Sequence, residues 1–253
     1  MDWGVSERRY ASVVNRIPRA AVQLMLLKPF VWRILRVEVH GEEYLDGLGN
    51  DEAFVVIANH SSHFDAPLVI GGLPPRLGQR ISTGAAADYF FKHWYTAGPT
   101  RLFFNAFPVD RTGSRNRKGL AGQLLSDGVP IFIFPEGTRS RTGAMASFKP
   151  GAAALCLSHQ VPAVPIALVG AFAAWPADAS RWKAGRPEVH IVFGPPMRPT
   201  PGEIAAEFSS RLRAKVIELH DTTALAYGLP TQADLAQLAA IHAAEASEPP
   251  ADA

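Results

Sequence analysis

Three short apolar runs constrain the fold of this chain more than any other feature: Ala53–Ala58 (AFVVIA), Pro130–Phe134 (PIFIF) and Ala163–Val169 (AVPIALV). Rich in β-branched and aromatic residues, they read as buried strands. Shorter strands are predicted at Val37–Tyr44 and Val189–Phe193. Helical segments lie between them. Asp65–Gly71 opens with Asp65 as an N-cap and Pro67 in the first turn, where a missing N–H costs little. Arg115–Ser126 has helical composition and stops before Gly128, and Gly151–His159 follows the second apolar run. Ile204–His220 is amphipathic, with Ile204, Phe208, Leu212, Val216 and Leu219 on one face. Strands alternating with helices predict an α/β fold: a mixed, largely parallel sheet flanked by helices, with ligands bound beyond the strand ends.

The main domain is expected over 37–228, preceded by a basic amphipathic segment over 1–36. From Leu229 to the end the chain thins to Ala, Glu and Pro, which predicts a C-terminal helix and a disordered tail over 229–253. No secretory signal is visible. The most apolar N-terminal stretch, Ala20 to Val37, is broken by Lys28, Pro29, Arg33 and Arg36, whereas a membrane span needs about 20 mostly apolar residues. Its Leu24, Met25, Leu26, Leu27, Phe30, Val31, Trp32, Ile34 and Leu35 can lie in the plane of a membrane interface or pack on the domain. Both readings stand at this point.

Charge adds a direction. The net charge is only +2, yet residues 76–118 carry Arg76, Arg80, Lys92, Arg101, Arg111, Arg115, Arg117 and Lys118 against Asp88 and Asp110. Such asymmetry points to an anionic partner. No recognisable nucleic-acid motif accompanies it, so no nucleic-acid partner is expected. The single Cys156 excludes an internal disulfide framework and a cysteine-based zinc site.

The chemistry begins at Asn59-His60-Ser61-Ser62-His63-Phe64-Asp65, directly after the first apolar run. A neutral hydroxyl is a poor nucleophile and needs a base beside it, and histidine suits that work. A carboxylate on the other ring nitrogen fixes the tautomer and stabilises the imidazolium. On a regular helix, five-residue spacing turns Asp65 away from His60. The two meet only with His60 on the turn and Asp65 at the helix start. The same residues also read as a plain cap and a loop histidine. As metal ligands, His60, His63 and Asp65 do not match the His-x-His-x-Asp-His spacing of metallo-hydrolases, so no metal is expected there.

Two further segments carry polar chemistry: Phe107-Pro108-Val109-Asp110-Arg111 and Phe134-Pro135-Glu136-Gly137-Thr138-Arg139-Ser140. Arginine matches phosphate oxygens bidentately, and Gly137 lets backbone approach a ligand closely. On a basic chain they read as a phosphate-binding rim. Val161-Pro162-Ala163-Val164-Pro165 carries no catalytic group and reads as a strand entry shaped by its prolines. Cys156, within the apolar Ala152–Leu157, reads as helix packing rather than as a nucleophile.

These four segments, in this order and spacing, resemble those of the glycerolipid (lysophospholipid) acyltransferase family: His-x4-Asp, aromatic-Pro-x-Asp-Arg, Phe-Pro-Glu-Gly-Thr-Arg-Ser and Val-Pro-x-x-Pro. The similarity runs from about Val37 to Pro196 and includes Phe148-Lys149-Pro150-Gly151. It implies the fold of that family and an acyltransferase domain over 37–228. It implies His60 as general base and Asp65 as its partner. Arg111, Glu136, Gly137, Thr138 and Arg139 would contact or place a phosphorylated acceptor. Val161, Pro162 and Pro165 would line the acyl pocket or serve the strand. The acyl donor would be acyl-CoA or acyl carrier protein, with no further cofactor. The acceptor would be a lysophospholipid on the cytoplasmic face of a membrane, bound peripherally or monotopically. The Glu-Gly-Thr-Arg-Ser form most resembles 1-acylglycerol-3-phosphate acyltransferases. The second segment departs from the usual Gly-x-Ile-Phe-Ile-Asp-Arg, which bears on the acceptor and leaves the acid–base pair untouched. An α/β hydrolase would need a Gly-x-Ser-x-Gly elbow, and the chain has none. A non-catalytic lipid-binding protein is the other alternative.

Overall fold

The computed structural model describes residues 10, 12–49, 52–86, 103–109 and 119–247. Helix α1 (Val13–Val22), a π-helical stretch (Gln23–Leu27) and α2 (Lys28–Ile34) follow one another directly. The wider π turn comes just before Pro29, whose ring would crowd an ordinary helical turn. Strand β1 (Arg36–His40) comes next. It stops four residues short of the expected Tyr44 because Gly41 takes φ +75 and a 3-10 turn (Glu42–Leu45) begins.

The remaining elements are β2 (Val55–Ala58), α3 (Asp65–Gly72), α4 (Pro75–Gly78), β3 (Ser82–Ala86), β4 (Phe107–Val109), α5 (Gly119–Ser126) and β5 (Ile131–Ile133). After these come α6 (Gly151–His159), β6 (Ala163–Val169), α7 (Ala171–Ala174), β7 (Glu188–Phe193), α8 (Ala205–Tyr227) and α9 (Gln232–Ser247). Two strands, β3 and β4, extend the sheet beyond the sequence-read set. Helix α8 runs seven residues past the expected His220. Of the predicted helix at Arg115–Ser126, the first four residues lie outside the described ones.

The seven strands form one sheet in the order β1-β7-β6-β2-β5-β3-β4. All neighbours are parallel except β6 and β7. Pro108 is tolerated in β4 because that strand lies at the edge of the order. Successive side chains of a strand point to opposite faces, so each central strand feeds two cores. Val56, Ala58, Val164, Ile166 and Ile191 pack with Val31 of α2, Leu35 just after it, Leu68 and Val69 of α3 and the residues around them. On the other face, Val55, Ile57, Ala163 and Ala167 pack with Ala153 and Cys156 of α6 and with Phe208, Leu212 and Val216 of α8. This double coverage explains why the apolar runs are continuous rather than alternating.

Candidate active site

Strands β2 and β5 are parallel neighbours with Ile57 opposite Ile133, so their carboxyl ends lie side by side. The loop carrying His60 leaves one and the loop carrying Glu136 leaves the other. This is where an open α/β sheet places its ligands. Asn59 secures the first loop by bonding the backbone of Leu168 in both directions. Its Nδ2 donates to the Leu168 carbonyl at 3.0 Å, and the Leu168 N–H donates to Oδ1 at 2.8 Å.

His60 and Asp65 meet, with Nδ1 2.8 Å from Asp65 Oδ2. The manner of meeting corrects the capping expectation. Phe64 takes the N-cap position, and Asp65 is the first helical residue. Its carboxylate turns back over the loop, where Oδ2 also accepts the N–H of Ser61 at 2.6 Å and of Ser62 at 2.7 Å. Oδ1 is buried with no hydrogen-bond partner, and the Asp65 side chain is fully buried. Three donors on one oxygen hold that oxygen on the ring nitrogen. A carboxylate can only accept, so Nδ1 carries the ring proton and Nε2 presents a lone pair. The imidazole side chain keeps 20% exposure and stacks on Phe134, with ring centroids 3.8 Å apart and planes 12° from parallel.

Glu136 is turned inward, away from the rim to which its motif assigns it. Its Oε1 accepts the His60 N–H at 2.7 Å and its Oε2 accepts the Ala146 N–H at 2.9 Å. Burial pushes its carboxyl up to about 7, against the pull of those two donors. The Ser140 N–H in turn donates to the His60 carbonyl at 2.7 Å. The two loops are therefore laced together across the His60 backbone.

Gly137 takes φ +77, a conformation favouring glycine, and an added Cβ would stand 2.6 Å from Lys149 Nζ. Thr138 beside it is exposed. Arg139 reaches His63, its Nη1 lying 2.6 Å from Nδ1. His63 Nε2 lies 3.2 Å from the Ala177 carbonyl. That carbonyl needs a donor and Arg139 can only donate, so His63 is the neutral Nε2–H tautomer. Burial first and Arg139 second hold its pKa below the ordinary value. Among the described residues Arg139 pairs with no carboxylate, so its charge remains available to an anion.

Arg111 lies outside the described residues. Val161, Pro162 and Pro165 are not gathered at this site. The Pro162 carbonyl accepts the N–H of Val55 at 2.9 Å, at the start of β2, and Pro165 sits in register with Ile57 inside the ladder. Their visible work is strand pairing. Cys156 is fully buried, and burial pushes its thiol up to about 12, which suits packing and not nucleophilic attack. Asn59, Phe134 and Lys149 stand inside the quoted segments, but sequence reasoning gave them no role of their own. Asn59 and Phe134 each sit directly after a strand, and that position was the available signal.

Comparison with known proteins bears on the family and the fold. The family model described as Acyltransferase matches residues 36–169. The chain is 30% identical over 188 residues to 1-acyl-sn-glycerol-3-phosphate acyltransferase alpha of Bos taurus, covering 72% of this chain and 60% of that protein. It is 29% identical over 186 residues to 1-acyl-sn-glycerol-3-phosphate acyltransferase of Cocos nucifera, covering 72% and 54%. The chain thus spans three fifths or less of the length of these relatives. The crystal structure of a 1-acyl-sn-glycerophosphate (LPA) acyltransferase from Thermotoga maritima superposes with a TM-score of 0.60 at 23% identity, covering 79% of each chain. That likeness establishes the fold.

Proposed function

The chain belongs to the acyltransferase family, and from that membership we propose that it moves a fatty acyl group from a thioester to the hydroxyl of a lysophospholipid. The proposed acceptor is 1-acyl-sn-glycerol 3-phosphate, which would give phosphatidic acid, as the names of the relatives suggest. The observation that carries the reading is the 2.8 Å contact of His60 with Asp65, which leaves Nε2 free to act as a base.

In the proposed reaction His60 Nε2 takes the hydroxyl proton as the oxygen attacks the thioester carbonyl. Asp65 stabilises the imidazolium that forms. The tetrahedral intermediate then collapses with loss of the C–S bond, and the imidazolium returns the proton to the departing thiolate. Arg139, paired with no carboxylate among the described residues, and Lys149 over Gly137 offer positive charge for the acceptor phosphate. The donor is acyl-CoA or acyl carrier protein, with no cofactor beyond it.

Work at the cytoplasmic membrane surface fits the N-terminal helix, where Ile17, Leu24, Met25, Leu26 and Phe30 are exposed. No helix among the described residues is long and apolar enough to cross a membrane.

Thiol release from an acyl-CoA, measured against a panel of lysolipid acceptors, tests the proposal. His60→Ala should abolish transfer, and Asp65→Asn should lower kcat by roughly a thousandfold or more through loss of the tautomer. Near-normal turnover in either variant, or no thiol release with any acceptor, would refute it.

A further inference from the structure

A second cluster of titratable groups sits at the edge of the sheet, on side chains that the acyl-transfer mechanism does not use. Strands β1 and β7 pair in parallel, with Arg36 opposite Glu188 and Glu38 opposite His190. Strand alternation sends Arg36, Glu38 and His40 to the same side as Glu188 and His190. Tyr227, the last residue of α8, closes over them, its ring centroid 4.0 Å from that of His190 and 5.7 Å from that of His40. His40 Nε2 stands 3.1 Å from His190 Nδ1. Glu38 Oε2 stands 3.9 Å from the first and 3.7 Å from the second.

We propose that Glu38, His40 and His190 form a binding site for one divalent transition-metal ion of the zinc type, separate from the acyl-transfer centre. A triangle with sides of 3.1, 3.7 and 3.9 Å has a circumscribed radius of about 2.1 Å, the length of zinc bonds to imidazole nitrogen and carboxylate oxygen. Small side-chain rotations therefore draw the three atoms in round an ion lifted off their plane, towards the tetrahedral arrangement, without movement of the backbone. The two imidazoles now face each other nitrogen to nitrogen and need only turn about their side-chain torsions to share it. Two imidazoles and one carboxylate select zinc, cobalt or nickel over magnesium and calcium, which take oxygen ligands. Three protein ligands leave a fourth position for water.

The surroundings support the assignment. His190 is fully buried, and its Nε2 has no hydrogen-bond partner. Glu188 Oε1 lies 3.5 Å from it. With Nδ1 on a metal, the ring proton belongs on Nε2, facing that carboxylate. This is the carboxylate–histidine–metal arrangement that orients a ligand and raises its basicity. Arg36 holds the other oxygen of Glu188 at 2.7 Å. The His40 and Glu38 side chains keep 32% and 42% exposure, so an ion can enter from solvent. Once bound, it joins edge strand β1 to β7, directly after the N-terminal helices.

The test uses the full chain without affinity histidines, stripped with EDTA and titrated with Co2+ and then Zn2+. The expected result is one ion per chain, with visible cobalt bands of tetrahedral intensity that Zn2+ bleaches. The melting temperature should rise by roughly 5–10 °C at a hundredfold excess over Kd, and Mg2+ should do neither. His40→Ala should abolish the cobalt spectrum, and Glu188→Gln should weaken affinity about 10–100-fold. No saturable uptake, or uptake unchanged in His40→Ala, would overturn the site. Should His190→Ala fail to fold, the partly exposed His40 still carries the test.

Discussion

Two carboxylates near His60 have different parts to play, and the fold separates them by where each finds donors. Asp65 gathers three donors on one oxygen and stands against the ring. Glu136 spreads two backbone donors over both oxygens and stands behind the chain. The sequence offered both as acidic residues in motifs, and Asp65 as a cap. What it could not reveal is the direction of each side chain, because that depends on which N–H groups two loops leave unpaired. Glu136 gives a prediction of opposite sign to the usual carboxylate. It keeps its proton up to about pH 7 in the fold, against an ordinary value of 4.5. Between those values the folded protein binds more protons than the unfolded chain, so stability falls as pH rises. At 1.36 kcal/mol per pH unit the effect is on the order of 3 kcal/mol, present in full below pH 4.5 and gone above pH 7. Urea unfolding of the native chain and of Glu136→Gln across pH 4.5–8 measures it as a difference. Parallel pH profiles for the two proteins would remove this account of Glu136.

Among the strands, the central ones were the most legible in the sequence, because their side chains are apolar on both faces. The AVPIALV run became β6 with its expected limits, buried at every position. Strand β3, with sequence STGAA, gave no such signal. Its Ser82 is buried because Asn105 Nδ2 donates to the hydroxyl at 2.6 Å, a contact made by position in the sheet and not by composition. The N-terminal helix was open to two readings, and its inner side bears out packing on the domain. Its inner side is held partly by polar groups: Arg19 donates to the Gln79 carbonyl at 3.0 Å and to Asn105 Oδ1 at 2.8 Å, and Gln23 donates to the Phe103 carbonyl at 2.8 Å. Its outer side leaves Met25 at 75% and Phe30 at 53% exposure. Large apolar side chains on an outer side depart from the pattern of a helix facing water, and they suit a lipid interface. Replacing Met25 and Phe30 by Glu should lower binding to anionic phospholipid vesicles about tenfold or more, from the apolar burial lost. Sedimentation would report it, and thermal melting should be unchanged because neither residue is in the core. Undiminished vesicle binding by the double variant would count against a lipid-facing helix.

At the scale of the molecule, the C-terminal helices are tied to His60 through a chain of hydrogen bonds that no local motif contains. Arg213 of α8 donates to the Ala146 carbonyl at 2.9 Å and to the Met145 carbonyl at 2.8 Å. Gln232 of α9 accepts the Met145 N–H at 2.6 Å. The segment so held gives the Ala146 N–H to Glu136, and Glu136 receives the His60 N–H. These links span up to 87 residues of sequence, which is why the reading from motifs did not reach them and gave the C-terminal helix no partner. Helix α9 is instead anchored at its start by Gln232, whose N–H also donates to Asp221 Oδ1 at 2.8 Å. If this chain of contacts sets the position of the imidazole, Arg213→Ala should lower kcat about tenfold and leave the KM for the acyl donor near its original value, since small misplacements of a base are costly. The lost hydrogen bonds should lower the melting temperature by only a few degrees. Steady-state thiol release measured well below that temperature separates the two effects. A variant that melts earlier and yet turns over at the full rate would show that Arg213 serves stability alone.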